Sequence, residues 1–369
     1  MERLNPPLLS LRVPLIIAEL GTSHGGNLSK AKEMAAAAAE SGAACIKFQM
    51  VFADEILHPN TGEVSLPGGR IRLYDRFKQL EKPPEFYAEI KEYVESLGLL
   101  FLCTPFGLKS ARILRELQPK IVKIASPELN FTALLEEISG WGLPVLLSTG
   151  VSTLSDIEKA INHCSLFIDN CSLLCLLHCV TAYPAPETDY NLRVLKSLSS
   201  VFGVSVGVSD HSLDPELVPA LAVTQGAAVI EKHFCLSRND PGLDDPIALP
   251  PDEFARMVKA VRRAAEIGPE ETLAALMRDR GNSVIEAVLG SGVKTLAPSE
   301  MENYSRTNRS IHALRDIHPG EIITAEDFAV LRTEKILRPG LPPSMAGQIC
   351  GRTARQFIPA GEGIRFEDV

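Results

Sequence analysis

Two histidines, His211 in SDHSL and His233 in EKHF, stand at or just past the ends of two short apolar runs, in a chain with only eight histidines. Two lysines, Lys47 in IKFQ and Lys123 in KIAS, hold similar places in two other runs. Either histidine alone would read as a hydrogen-bonded structural residue. On neighbouring strand ends, with Glu19, Asp210 or Asp244 to complete or orient the site, the pair points to a divalent metal. Imidazole and oxygen donors suit Mn or a similar ion better than a thiolate zinc site does. Two ammonium groups among hydroxyls suit a small ligand that carries phosphate and carboxylate, and STG at Ser148 to Gly150, before a helix start, resembles an anion seat.

The elements that must position these groups are eight runs rich in Val, Ile and Leu, at 14–20, 43–49, 98–104, 120–126, 143–149, 173–179, 203–209 and 227–233. Continuous apolar runs separated by helical patterns are what a parallel sheet covered on both faces requires. Eight such units by residue 233 predict a closed (β/α)8 TIM barrel, with an open doubly wound sheet as the structural rival. In a barrel, polar groups at the C-terminal ends of the strands converge on one mouth. Here Glu19 ends the first run, Lys47 and Gln49 the second, Thr104 the third, and Lys123 and Ser126 the fourth, with Glu128 just beyond. Ser148 and Thr149 end the fifth, His178 and Thr181 the sixth, Ser209, Asp210 and His211 the seventh, and Glu231 and His233 the eighth. A packed core alone would not demand this distribution.

Ser155 to Glu158 reads as a capping box that starts a helix. The segment 51–84, between the second and third runs, is too long for an ordinary turn and reads as either a lid or a surface excursion. A final amphipathic helix over PPDEFARMVKAVRRAAEIG is followed by a polar, irregular stretch through GSGVKTLAPSEMENYSRTN. From about Asn308 the turn signals HPGE, RPG and PAGEG mark a compact, mostly β domain. The predicted division is a barrel over 1–280, a linker over 281–307 and a small domain over 308–369.

A net charge of −9 disfavours a broad nucleic-acid surface. The opening residues lack the pattern of a signal peptide, and no segment approaches an uncharged apolar span of membrane length, so a cytoplasmic protein is expected. Eight cysteines are then expected as reduced thiols. Cys171, Cys175 and Cys179 share one parity of a strand, the pattern of buried small side chains rather than of a metal cluster. His24 in SHGG either serves on the substrate side or orders a glycine-rich loop.

Taken together, IIAELGTSHGGNLSKAKEM, IKFQ, CTPF, KIAS, LLSTG, LLHC, YPAP, VGVSDHS, EKHF, SEMEN, NRSI, LRDIHPGEIIT and RPGLPP fall in an order and at spacings that resemble the sialic acid synthase (N-acetylneuraminate synthase) family almost from end to end. Members condense phosphoenolpyruvate with an N-acylated hexosamine in its open aldehyde form. The resemblance implies a TIM barrel followed by an antifreeze-like (SAF) domain. By it, Lys47, Thr104, Lys123, Ser126, Ser148 and Ser209 hold phosphoenolpyruvate, and Gln49, Thr181, Tyr183 and Asp244 add substrate contacts. His211 and His233 hold the metal, Mn2+ or else Mg2+ or Co2+. Glu19 and Glu128 position the sugar and handle protons. The small domain is exchanged within a homodimer and offers an arginine to the partner's site, a position matched best by Arg332 and less well by Arg338. Ser23, Thr181 and the run Asp244-Asp245-Pro246-Ile247-Ala248 depart from the common pattern, mostly on the sugar side. The acceptor is therefore open between N-acetylmannosamine and a 6-deoxy-diacetamido hexose. Another aldose, or a noncatalytic descendant that only binds sugar or phosphoenolpyruvate, stand as alternatives.

Overall fold

The structure, a computed structural model, describes residues 13–66, 69–168 and 173–369; Cys171 and the opening twelve residues lie outside the described residues. The strands are β1 (Leu15–Gly21), β2 (Cys45–Met50), β3 (Glu63–Leu66), β4 (Gly69–Arg72), β5 (Leu100–Pro105), β6 (Val122–Ile124), β7 (Val145–Ser148), β8 (Leu174–Cys179), β9 (Ser205–Asp210) and β10 (Val229–His233). All but β3 and β4 join one sheet in the order β5-β2-β1-β10-β9-β8-β7-β6, with every neighbouring pair parallel. The end strands β5 and β6 lie against each other, so the sheet curls into a nearly closed barrel. Strands that pair in chain order exclude the doubly wound alternative, in which the order reverses at a switch point.

The period of two along each strand explains both the core and the site. Leu15, Ile17, Cys45, Leu102, Leu146 and Val229 face inward and pack as one buried cluster at the lower end of the barrel. Two residues further along, the same face carries Glu19, Lys47, Thr104, Lys123, Ser148 and Glu231, all buried. The barrel is thus apolar below and ionic above. Outward-facing Ile16, Ile46, Ile230 and their neighbours form a larger core with the surrounding helices.

Gly207 of β9 keeps this interior closed. A Cβ there would lie 2.4 Å from the Val229 carbonyl oxygen and 2.8 Å from Leu177 Cδ2. Gly207→Ala should therefore overpack the barrel and destabilise it by roughly 1–3 kcal/mol. Chemical denaturation checks this, and an unchanged midpoint would contradict so close an approach of β9 to β10.

Three sequence expectations shift. The helix Leu154–Cys164 begins at Thr153, whose hydroxyl accepts from Asp156 N at 3.3 Å while Asp156 Oδ2 accepts from Thr153 N at 2.9 Å. Two overlapping boxes of equal spacing exist in the sequence, and the earlier one forms. The stretch expected to be irregular after residue 268 instead holds helices Pro269–Arg280 and Asn282–Leu289. Gly268 and Gly281, at φ +86° and +90°, break the chain between helices, while Leu273, Leu276, Ile285 and Val288 return to the main core at helical spacing. The long excursion contains the β3–β4 hairpin and the helix Leu73–Leu80, and it packs on the barrel mouth through Val51, Ile56 and Leu57, which cluster with Phe106 past the end of β5.

The C-terminal domain pairs β11 (Arg309–Ala313) with β12 (Phe328–Arg332) in antiparallel register, and single bridges such as Ile317 with Ile358 complete it. It has its own core around Ile311, Ile317, Ile323, Ile358 and Ile364. Leu57 of the excursion bridges to Arg332, so the domain sits on the barrel of the same chain. Among the described residues no helix is long and apolar enough to cross a membrane.

Candidate active site

The upper ends of the strands enclose a cavity of about 190 Å³. Its floor is an ion network. Glu231 accepts from Lys123 Nζ with both oxygens at 2.9 Å and from Ser209 Oγ at 2.8 Å, and Lys47 Nζ stands 3.1 Å away. Lys47 also lies 3.3 Å from Glu19 Oε2, while Glu19 Oε1 accepts from Gln49 Nε2 at 2.7 Å.

The electrostatics follow from this sharing. Burial pushes the Glu231 carboxyl up, but Lys123 and Lys47 outweigh it and hold the group well below the usual carboxylate range. Burial pulls the Lys47 ammonium down, yet Glu19 and Glu231 together raise it above the ordinary lysine value. Burial, with the adjacent Lys47, outweighs the pull of Glu231 on Lys123 and leaves it lowered. Burial raises Glu19 against the pull of Lys47. A buried carboxyl with a raised pKa at a cavity wall is the state expected of an acid–base group.

Above the network, the hydroxyls of Thr104, Ser148 and Thr181 line the cavity, buried and without hydrogen-bond partners among the described residues. Native structures rarely leave buried polar atoms unpaired, so three around two lysines mark a place for ligand oxygens. Ser126 also lines the cavity, with its Oγ accepting from Gly150 N at 3.0 Å. Gly150 is required there, because a Cβ would reach within 2.2 Å of Thr181 Oγ1.

On one wall the His211 and His233 rings lie 5.3 Å apart, centre to centre, and the Tyr183 ring stacks on His211 at 4.3 Å. His211 Nδ1 is 3.0 Å from the Val180 carbonyl, which can only accept, so Nδ1 carries the proton and Nε2 keeps its lone pair. Burial lowers both imidazoles, His233 also through the adjacent His211, so both are neutral at neutral pH. Asp244 Oδ2 stands 4.0 Å from His233 Nδ1, and burial with Glu19 nearby pushes its carboxyl up to about 6. Two neutral imidazoles beside carboxylates fit a divalent ion. Among the described residues no three His, Cys, Asp or Glu side chains converge as a closed metal cage, so ligand and water oxygens would have to complete an ion held here.

The cavity thus gathers Glu19, Lys47, Gln49, Thr104, Lys123, Ser126, Ser148, Thr181, Tyr183, Ser209, His211, His233, Asp244 and Arg332. Several other expected residues are placed elsewhere. Glu128 does not line it: its fully buried carboxylate is held by Arg309 and Arg332 of the C-terminal domain. Arg338 is turned away, paired with Asp368 at 2.6 Å. Asp210 faces outward and pairs with buried Lys232 at 2.6 Å, and His178, also outward, donates to the Tyr190 carbonyl from Nε2 at 2.6 Å. His24 orders the glycine loop, accepting from Gly26 N at 3.0 Å and packing on Phe48 and Phe86. Ser23 and Asp245 sit together behind the wall.

Sequence reading undervalued three features. Glu231, noted only as a strand end, is the hub of the floor; two lysines on the same interior parity implied a carboxylate between them. Phe77, from the excursion, and Leu243 add apolar surface to the mouth. Glu300 of the linker accepts from Val151 N at 2.9 Å and Thr181 N at 3.0 Å, pinning the loops after β7 and β8.

Residues 34–271 match the NeuB family and residues 308–369 the SAF domain. An N,N'-diacetyllegionaminic acid synthase of Legionella pneumophila is 33% identical over 360 residues, covering 96% of this chain and 94% of that one. A pseudaminic acid synthase of Campylobacter jejuni is 32% identical over 360 residues, 96% of each. The crystal structure of the spore coat polysaccharide biosynthesis protein SpsE of Bacillus subtilis superposes with a TM-score of 0.80 at 34% identity, covering 96% of this chain and 95% of that one.

Proposed function

The chain belongs to the NeuB family of sialic acid synthase-type enzymes, and from that membership we propose that it joins phosphoenolpyruvate to the open aldehyde form of an N-acylated hexosamine, giving a nonulosonic acid and phosphate. The observation that carries the proposal is the set of three unpartnered buried hydroxyls, Thr104, Ser148 and Thr181, around Lys47 and Lys123. Phosphate and carboxylate bring negative charge and many acceptor oxygens, which is what two ammoniums and donor hydroxyls in a dry cavity stabilise.

A divalent ion on His211 and His233, Mn2+ with Mg2+ or Co2+ as alternatives, would supply polarisation of the aldehyde oxygen. Lys47 and Lys123 balance the charges of phosphoenolpyruvate while its C3 bonds to the aldehyde carbon. Water then adds at C2, and phosphate leaves with cleavage of the C–O bond. Glu19, raised in pKa and held by Gln49 and Lys47, would exchange protons with the sugar or the attacking water. Arg332 reaches the mouth from the C-terminal domain, where an acceptor substituent would meet it.

For the acceptor, the relatives named as legionaminic and pseudaminic acid synthases favour a 6-deoxy-diacetamido hexose over N-acetylmannosamine. Phe77 and Leu243 support that choice, because apolar wall favours methyl-bearing groups. A homodimer that exchanges its small domains would repeat the barrel contacts of Arg309 and Arg332 between protomers. That assembly and a cytoplasmic location belong to the same proposal.

Glu19→Gln keeps the shape and the Gln49 contact but removes the titrating group. It should lower kcat on the order of 10²-fold, with the KM for phosphoenolpyruvate changed by less than about threefold. Steady-state phosphate release checks this, and an unchanged kcat would remove Glu19 from proton transfer.

A further inference from the structure

Three side chains of the linker take up the main-chain polar groups of two barrel residues. Glu300, buried, accepts from Val151 N at 2.9 Å and from Thr181 N at 3.0 Å with one oxygen, Oε2, and from Ala297 N at 3.1 Å with the other. Asn303 Nδ2 donates to the Thr181 carbonyl at 3.0 Å, and Asn308 Nδ2 to the Val151 carbonyl at 3.2 Å. The N–H and the C=O of both residues thus end on linker side chains. Between these grips, the Tyr304 hydroxyl donates at 3.0 Å to Asp156 Oδ2, the carboxylate that caps the helix Leu154–Cys164. The two residues so held belong to the ligand side of the cavity. Val151 follows Gly150 of the anion seat at φ +42°, a left-handed conformation that a β-branched residue adopts only at a cost and only where its surroundings impose it. Thr181 carries one of the unpartnered cavity hydroxyls, and it interlocks with Gly150, where a Cβ would lie 2.2 Å from Thr181 Oγ1 and 2.9 Å from Ser126 Oγ.

We propose that Glu300, Asn303 and Asn308 are positioning residues for the phosphoenolpyruvate side of the cavity: the linker is a template that holds Val151 in its strained turn and sets the Thr181 hydroxyl and the Gly150 seat where ligand oxygens meet them. The proposed function enters only in naming that ligand. Glu300 touches no reacting atom; it acts through two amides, one on each loop, that share a single carboxylate oxygen. Charge alone argues for the opposite outcome. A carboxylate behind an anion seat repels the anion, so on Coulombic grounds its removal should tighten binding. Three amide donors on Glu300 make strong, charge-assisted hydrogen bonds that absorb its charge, and what the site gains from it is geometry. The two effects differ in sign, and binding can tell them apart.

In the full-length chain with Mn2+, the phosphoenolpyruvate Kd read by calorimetry should rise about tenfold or more in Glu300→Ala, while the acceptor KM moves less than about threefold. Glu300→Gln keeps one oxygen for the two loop amides and should restore the Kd to within about threefold of the parent. A Kd unchanged or lowered in Glu300→Ala would overturn the proposal. Amide hydrogen exchange needs no substrate. In Glu300→Ala it should quicken about tenfold or more at 148–152 and 179–183, with 15–21 and 229–233 unchanged. Asn303→Ala and Asn308→Ala each remove one neutral bond and keep the buried carboxylate in place, so they serve should Glu300→Ala not fold. The first should quicken exchange at 179–183 alone and the second at 148–152 alone. Unaltered exchange in these variants would overturn the proposal whatever the cavity binds. Quickened exchange, with weaker binding of inorganic phosphate in a protein whose parent does not bind phosphoenolpyruvate, would support the template and leave the proposed reaction as the part that failed.

Discussion

Phosphate release should fall at least about 10³-fold in Glu231→Gln, and the folded state should lose about 3–5 kcal/mol, the usual consequence of leaving a buried ion without its partner. Lys47 would keep Glu19 at 3.3 Å, but among the described residues Lys123 pairs with no other carboxylate. An uncompensated ammonium inside the barrel would then deprotonate or draw water into the floor, and either removes a charge that phosphoenolpyruvate needs. The pH dependence follows from the sign of the Glu231 shift. Its folded-state pKa is depressed below the carboxylate range, so its contribution to stability is complete above an unfolded pKa of about 4.3 and is lost as the pH falls below that value. In Glu231→Gln that part of the acid-unfolding profile should flatten. Urea unfolding at pH 7 and at pH 3 measures both effects, and a variant as stable as the parent at pH 7 would contradict the shared-carboxylate floor.

Removal of residues 308–369 should reduce turnover by about 10³-fold and leave the barrel folded. The C-terminal domain has its own apolar core, separate from that of the barrel, so its loss uncovers mainly the mouth. What the site loses is Arg332 and the cover over Glu128, which becomes a hydrated carboxylate beside the acceptor position. A negative charge would replace a surplus positive one where the sugar binds. Thermal unfolding together with phosphate release tests this. Full activity in a folded, truncated barrel would deny the C-terminal domain a part in the site.

Much of this was legible in the chain itself, for a physical reason. Parallel barrel strands are buried on both faces, so their apolar runs stand out, and polar residues at their upper ends had to converge. Lys47, Lys123, His211 and His233 were readable on those grounds, and strand parity alone separates inward Ser209 and Glu231 from outward Asp210 and Lys232. What could not be read was set by contacts between distant segments. Glu128 sits one turn past a strand end, as a site residue would, yet arginines some 180 to 200 positions later claim its carboxylate. The choice between Arg332 and Arg338 depended on Arg332 bridging to Leu57 at the end of its strand while Arg338 pairs with Asp368. His24 has the company of a reactive residue but turns to its own loop and two phenylalanines. The helices between 269 and 289 were hidden by charged exposed faces, although their apolar positions keep helical spacing.

The central claim, that the ionic mouth is a synthase site for phosphoenolpyruvate and an amino sugar, is tested most directly by phosphate release. Phosphoenolpyruvate and Mn2+ are supplied with N-acetylmannosamine and with a panel of 6-deoxy-diacetamido hexoses, each separately, and His211→Ala serves as the control. Acceptor-dependent release with one 6-deoxy-diacetamido hexose, abolished in His211→Ala, is the predicted result. Tight binding of phosphoenolpyruvate with no release in the presence of any acceptor would contradict the claim and leave an anion pocket that only binds.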